Sequence, residues 1–291
     1  MIKDIRSKFP DWVNDNNVGK YTICMSDDLD SLLGSKVLEQ IKGYKTNYFY
    51  SFDELYVDDE NNDKVAIGVD IALMKGKIWD NHVTMLSRRD SINPQSANLN
   101  AILKISRDNY TDKYAGSTLL QIWSYYNLPL PTTDEGKMIL LVIDSSYKGH
   151  YIRSFKETQN KYLRMLEFDE LIELQDKYTQ RDFQKITKKY NLNGKIELID
   201  GKLETAIKLE EVGKILGIDL TLPKGQFKLK RKFKSNKSNL TKGSKTKKNN
   251  IFSLALTGQN FVCYSTKQGD DCKWTESITT ATQQIYLSFY D

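Results

Sequence analysis

The chain has 291 residues, 39% of them hydrophobic, enough for one large or two ordinary domains that need no disulfide or metal to fold. Its three cysteines, Cys24, Cys263 and Cys272, fit neither a disulfide framework nor a paired zinc knuckle, which points to a reducing compartment. The formal charge of +5 hides an asymmetry: residues 228–248 hold ten of the 43 lysines and arginines and no acid, leaving 33 bases against 38 acids elsewhere. The N-terminus is charged and no run reaches the roughly 18 apolar residues of a membrane span. The expectation is a cytoplasmic protein without a membrane partner.

In chain order, YTICM (21–25) reads as a buried strand running into SDDLDS, and SLLGSKVLEQI (31–41) as the helix after it. NYFYSF (47–52), VAIGVDI (65–71) and a short IWD (78–80) follow as strands. This alternation predicts an α/β fold with a largely parallel sheet over residues 1–154. AGSTLLQIWSYY (115–126) has helical spacing, with Ser117 or Thr118 as its cap. KMILLVIDSS (137–146) is buried helix or strand, and periodicity alone does not choose. Residues 155–227 read as a helical connector: one or two amphipathic helices over 155–190 and another over 203–218. The lysine-rich stretch 228–250 reads as a linker, and 251–291, with IFSLAL, FVCYST and QQIYLSFY, as a small β-rich unit. Most of the 17 tyrosines sit in strand or helix patterns and are expected in the core.

Four places before residue 150 end an apolar run with an acid: Asp28 and Asp30, Asp70, Asp80 with His82, and Asp144. In an open parallel sheet such residues meet at the carboxyl edge, where ligands bind. Any one of them is more often a helix cap or turn former. Jointly they suit divalent cations such as Mg²⁺ or Mn²⁺, which prefer carboxylate oxygen and accept imidazole. Two such ions clamp a phosphate and activate a water. Both histidines, His82 and His150, lie within six residues of two of these acids.

The order CMSDDLDSLLGS, AIGVDIAL, IWDNHVTML, a Ser-initiated helix and LLVIDSS resembles the DHH phosphoesterases. That superfamily spans RecJ-type single-strand exonucleases, nano-RNases, cyclic-dinucleotide phosphodiesterases and family II pyrophosphatases. The resemblance covers about residues 18–150. It implies that Asp70 bridges two metals, Asp28 serves the first, and Asp30 and Asp144 the second. His82 then faces the substrate phosphate and Asp80 orients its neighbours. Two positions depart from the family pattern: Cys24 stands at the leading His of the first motif, and Asn81 at the first His of Asp-His-His. Asp27 stands beside them as a substitute ligand. Three alternatives stay open for such a site: preference for Mg²⁺, one firmly held ion, or loss of catalysis.

The expected activity is divalent-metal-dependent hydrolysis of phosphodiesters in single-stranded nucleic acid or short oligonucleotides. The basic stretch would contact the polyanion, and His150, Lys148 and Arg153 the phosphate. The rival functions are a catalytically degenerate nucleic-acid binder and a phosphatase of a small nucleotide or pyrophosphate. KGHYIR reads equally as a plain surface loop.

Overall fold

A computed structural model describes residues 1–240 and 251–267. Its frame is a mixed sheet in the order β10-β11-β9-β3-β2-β1-β4-β5-β6. The strands are β1 (Tyr21–Met25), β2 (Thr46–Tyr50), β3 (Glu54–Val57), β4 (Val65–Val69), β5 (Lys77–Trp79), β6 (Ser96–Ala97), β9 (Lys228–Asn239), β10 (Ile251–Gly258) and β11 (Phe261–Lys267). A separate hairpin pairs β7 (Ile196–Ile199) with β8 (Lys202–Thr205).

β2, β1, β4, β5 and β6 run parallel, and β3, β9, β11 and β10 continue antiparallel. From β1 the chain first goes to one side, to β2 and β3, then returns to the other, to β4. That reversal opens a crevice at the carboxyl ends of β1 and β4. The sheet also curls. The outer edge of β10 bonds back to the segments after β4 and β5, with Leu254 N–H on the Ala72 carbonyl and Leu256 N–H on that of Val83, both at 2.9 Å.

The helices are α1 (Lys3–Arg6), α2 (Leu29–Lys42), α3 (Leu99–Ile102), α4 (Thr118–Tyr125), α5 (Asp134–Val142), α6 (Lys156–Met165), α7 (Asp169–Lys177), α8 (Gln180–Tyr190) and α9 (Leu209–Leu216). The ambiguous apolar run 137–146 is therefore helix, ending in a 3₁₀ turn over Ile143–Ser145. α2 starts two residues before its expected position and stops at Gly43, in the left-handed conformation that favours glycine. Gly34 lets α2 lie close to β4 and α4, since a Cβ there would meet Val69 Cγ1 at 2.9 Å. The main core runs from β1 and α2 through α4 and α5 to α9. As expected, many aromatics pack inside it: Tyr21, Phe49 and Trp79 are fully buried.

The connector and linker differ from expectation. Residues 155–190 form three helices, and the β7–β8 hairpin takes the first residues of the helix expected over 203–218, which starts only at Leu209. The lysine-rich stretch is no linker over 228–239: it is β9, an inner strand between β3 and β11. Its bases tolerate this because those from Lys228 to Lys234 stay exposed and Lys237 is only partly buried, while Phe233 and Ser235 turn inward. β10 and β11 are consequently joined to the main sheet. Residues 241–250, Cys272 and QQIYLSFY lie outside the described residues.

Candidate metal centre

The end of β1, the start of α2 and the end of β4 are knotted together by Ser31. Its hydroxyl donates to the Val69 carbonyl at 2.6 Å and accepts the Ser26 N–H at 2.7 Å. Asp30 thereby faces Asp70, which follows β4, and Asp144, in the turn after α5. Asp70 and Asp144 both hold left-handed backbone, with φ of 57° and 52°. Non-glycine residues in that region cost roughly 1 kcal/mol or more and concentrate at functional sites.

Carboxylate oxygens of Asp30, Asp70 and Asp144 all lie within 4.8 Å of one another. Asp30 and Asp70 are buried, and Asp144 is open to solvent. Asp30 accepts the Thr118 and Leu119 N–H groups at the start of α4, both at 2.8 Å. Asp70 accepts the Thr118 hydroxyl at 2.8 Å. These donors do not cancel the charge. Burial first, and then the neighbouring carboxylates, push Asp30 and Asp70 well above the usual carboxylate range. An all-oxygen set with surplus negative charge fits a divalent cation.

Asp70 belongs to a second group with Asp80 and His82. Asp80 is buried, and His82 Nδ1 contacts its Oδ1 at 2.6 Å and Asp70 Oδ1 at 4.0 Å. Asn98 Nδ2 donates to Asp80 Oδ2 at 3.0 Å and to the His82 carbonyl at 2.8 Å, fixing both residues. Burial lowers the pKa of His82. The charge and hydrogen bond of Asp80, with Asp70 and Asp144 behind them, outweigh that and push it up to about 10. Asp80 thus holds the imidazole ring, with its Nδ1 turned towards Asp70.

Beside the carboxylates opens a cleft of about 690 Å³, with Asp28, Asp144, Lys148, Asn193 and Lys195 among its walls. Asp28 is not in the carboxylate trio. It caps α2 by accepting the Ser31 N–H at 3.1 Å, and its pKa is raised to about 6, by burial and then by Asp144. Lys195 Nζ lies 3.4 Å from Asp27 and 3.9 Å from Asp28.

Several expected roles are corrected. Cys24 is in neither acidic group. Side chains alternate along β1, so Ile23 and Met25 join the helix-side core while Cys24 packs with Tyr50, Ile71 and Phe233 on the opposite face. Burial drives its thiol up to about 12, which makes it an apolar residue and a poor ligand. Asn81 donates its amide to Asp144 Oδ2 at 2.8 Å and to the Gly116 carbonyl at 3.0 Å, so it holds a carboxylate. Asp27 faces Lys195 and lies outside the trio. His150 is buried between Asn160 and Asp176, each 3.1 Å from a ring nitrogen, and does not line the cleft. Arg153 is exposed and does not line the cleft. Lys148 does line it.

Thr118, Asn98 and Lys195 were not read from the sequence as parts of the site. Thr118 follows the helix cap Ser117 and has no pattern of its own. Lys195 follows the turn Asn193–Gly194 after α8, where an Asn-Gly-Lys sequence is the only local sign. No family model, curated protein or solved structure matches the chain.

Proposed function

We propose that this chain is a DHH-type phosphoesterase that hydrolyses phosphodiesters of single-stranded nucleic acid or short oligonucleotides with a divalent cation. The observation that carries this is Asp70: one buried carboxylate shared by two ligand-competent groups at the carboxyl edge of a parallel sheet. Asp30, Asp70 and Asp144 would hold a first ion, and Asp70, Asp80 and His82 a second once His82 gives up its proton. Three oxygens suit Mg²⁺ or Mn²⁺, and the imidazole inclines the second site to Mn²⁺. A bound ion would supply phosphate polarisation and an activated water at neutral pH.

The residues around this centre do the rest. Lys148 and Lys195 bring positive charge to the cleft beside Asp144 and Asp28 and bind phosphate oxygens. With the second ion bound, His82 would keep a proton only on the ring nitrogen that faces away from Asp70 and Asp80, and that N–H would donate a hydrogen bond to the phosphate. Asn81 holds Asp144 in place. The exposed bases of β9 attract a polyanion.

A second function, a nucleic-acid binder that keeps the fold without turnover, is favoured by the close pairing of His82 with Asp80 in the second group and by Cys24 facing away. Hydrolysis of single-stranded DNA, short RNA, a cyclic dinucleotide and pyrophosphate, with Mg²⁺ and with Mn²⁺, separates the two. The proposal expects turnover of at least one phosphodiester, lost in Asp70→Asn. Equal turnover in both proteins, or none in the wild type, overturns it.

A further inference from the structure

Next to the cleft lies a smaller hollow of about 280 Å³, between the ends of β2 and β3 and the strand β7. The two share Lys195 as a common wall, and Asp27 in the hollow precedes Asp28 in the cleft. On one side stand Phe49 and Tyr56, ring centroids 6.2 Å apart. On the other stand Ile196 and Leu198, with Ser51 and Glu197 also lining the hollow. Phe49 is buried and packs edge-on to Phe227, whereas Tyr56 is partly exposed. The Tyr56 hydroxyl donates to Glu54, which fixes the ring. The β7 wall is fixed too, because Ile196 N–H donates to the Asp27 carbonyl at 2.7 Å.

We infer that this hollow is a nucleobase subsite, in which a base stacks on Tyr56 while its own phosphate lies across Lys195 in the cleft. A nucleotide is a flat ring joined through a sugar to a phosphate. An aromatic and aliphatic slot with polar groups, one lysine away from a cationic cleft, matches that shape and chemistry. The inference rests on the cleft being a phosphodiester site, and it narrows the substrate to nucleotides. Lys195 then serves both parts, reaching phosphate on one side and closing the slot on the other.

The test compares a dinucleoside phosphodiester with the same compound lacking both bases, in Mn²⁺, using wild type, Tyr56→Ala and Tyr56→Phe. Tyr56→Ala is expected to raise KM for the base-bearing substrate roughly tenfold, with the rise confined to that substrate, and Tyr56→Phe to restore it. Leu198→Trp, which fills the slot from β7, should give the same selective loss. Equal KM for the two substrates in the wild type, or a parallel change in both with either variant, overturns the subsite and leaves the phosphoesterase standing. If the wild type cleaves neither compound, calorimetry decides the subsite alone. Tighter binding of a nucleoside monophosphate than of inorganic phosphate, lost in Tyr56→Ala, supports it; equal affinity overturns it.

Discussion

Asn81 Nδ2 donates to Asp144 Oδ2 across 2.8 Å, tying the turn after β5 to the turn after α5. Asp144 is the only exposed member of the carboxylate trio and sits on strained backbone, so this bond is what orients it. Removing an orienting partner typically costs ten- to a hundredfold in metal affinity. Asn81→Ala should therefore weaken Mn²⁺ binding roughly tenfold in calorimetry. Asn81→His, which offers an imidazole at the same place, should tighten Mn²⁺ more than Mg²⁺. Unchanged Mn²⁺ affinity in Asn81→Ala would show that Asp144 needs no such support.

Asp70 carries a cost in the absence of a cation. Burial first, and then the charges of Asp28, Asp144 and Asp80, push its pKa up, with His82 opposing them. Asp70→Asn keeps an oxygen for the Thr118 hydroxyl and removes the repulsion. Each pKa unit is worth about 1.4 kcal/mol, so the cation-free variant should unfold at a higher temperature than wild type at pH 8. Added Mn²⁺ should raise the Tm of wild type and leave that of Asp70→Asn unchanged. A variant that loses stability in chelator would mean that Asp70 is a structural cap.

The pH dependence has a definite sign. Asp30 and Asp70 are shifted above the ordinary carboxylate value, and His82 is raised from 6.5 to about 10. Each group then holds its proton more tightly in the folded chain than in the unfolded one. Stability in chelator must fall as pH rises, with the His82 part present below 6.5 and lost towards pH 10. Metal binding displaces these protons, so its stabilisation must grow over the same range. Thermal unfolding in chelator and in Mn²⁺, from pH 6 to pH 9, measures both trends. A larger metal effect at pH 6 than at pH 9 would contradict the assignment.

The acids were legible in the sequence because a parallel sheet delivers the residue after each strand to one edge, and a strand end is visible as the close of an apolar run. Asp30 and Asp70 come together for that reason, and Asp144 joins them at the close of the apolar helix α5. Cys24 misled because β1 is buried on both faces, so its two-residue alternation leaves no polar mark to show which way a side chain points. His150 misled because closeness in sequence to Asp144 says nothing about where α6 and α7 carry its partners. Lys195 arrives through the packing of three helices and a hairpin, which no local pattern encodes. The same holds for β9, whose lysines argue against a strand by propensity while its pairing with β3 and β11 enforces one.

β9 gives the last prediction. As an inner strand it cannot be deleted without opening the sheet, so its charge must be tested by substitution. Lys230 lies over the Tyr48 ring and Lys232 pairs with Glu54 at 3.3 Å, and both are exposed beside β3, the strand that carries Tyr56. A single strand leaving the cleft past Tyr56 would next meet these bases. Every phosphate left without its cationic partner should reduce the slope of log affinity against log salt by about 0.7. The triple variant Lys230→Gln, Arg231→Gln, Lys232→Gln should thus bind a single-stranded 20-mer more weakly, with a slope shallower by about 2. Cleavage of a dinucleotide, too short to reach β9, should be unaffected. Binding can be followed by fluorescence anisotropy across a salt series, with unchanged far-ultraviolet dichroism as the check on folding. If affinity and slope for the 20-mer stay at their wild-type values, the strand does not contact the polymer. The substrate would then be a small nucleotide held by the cleft alone.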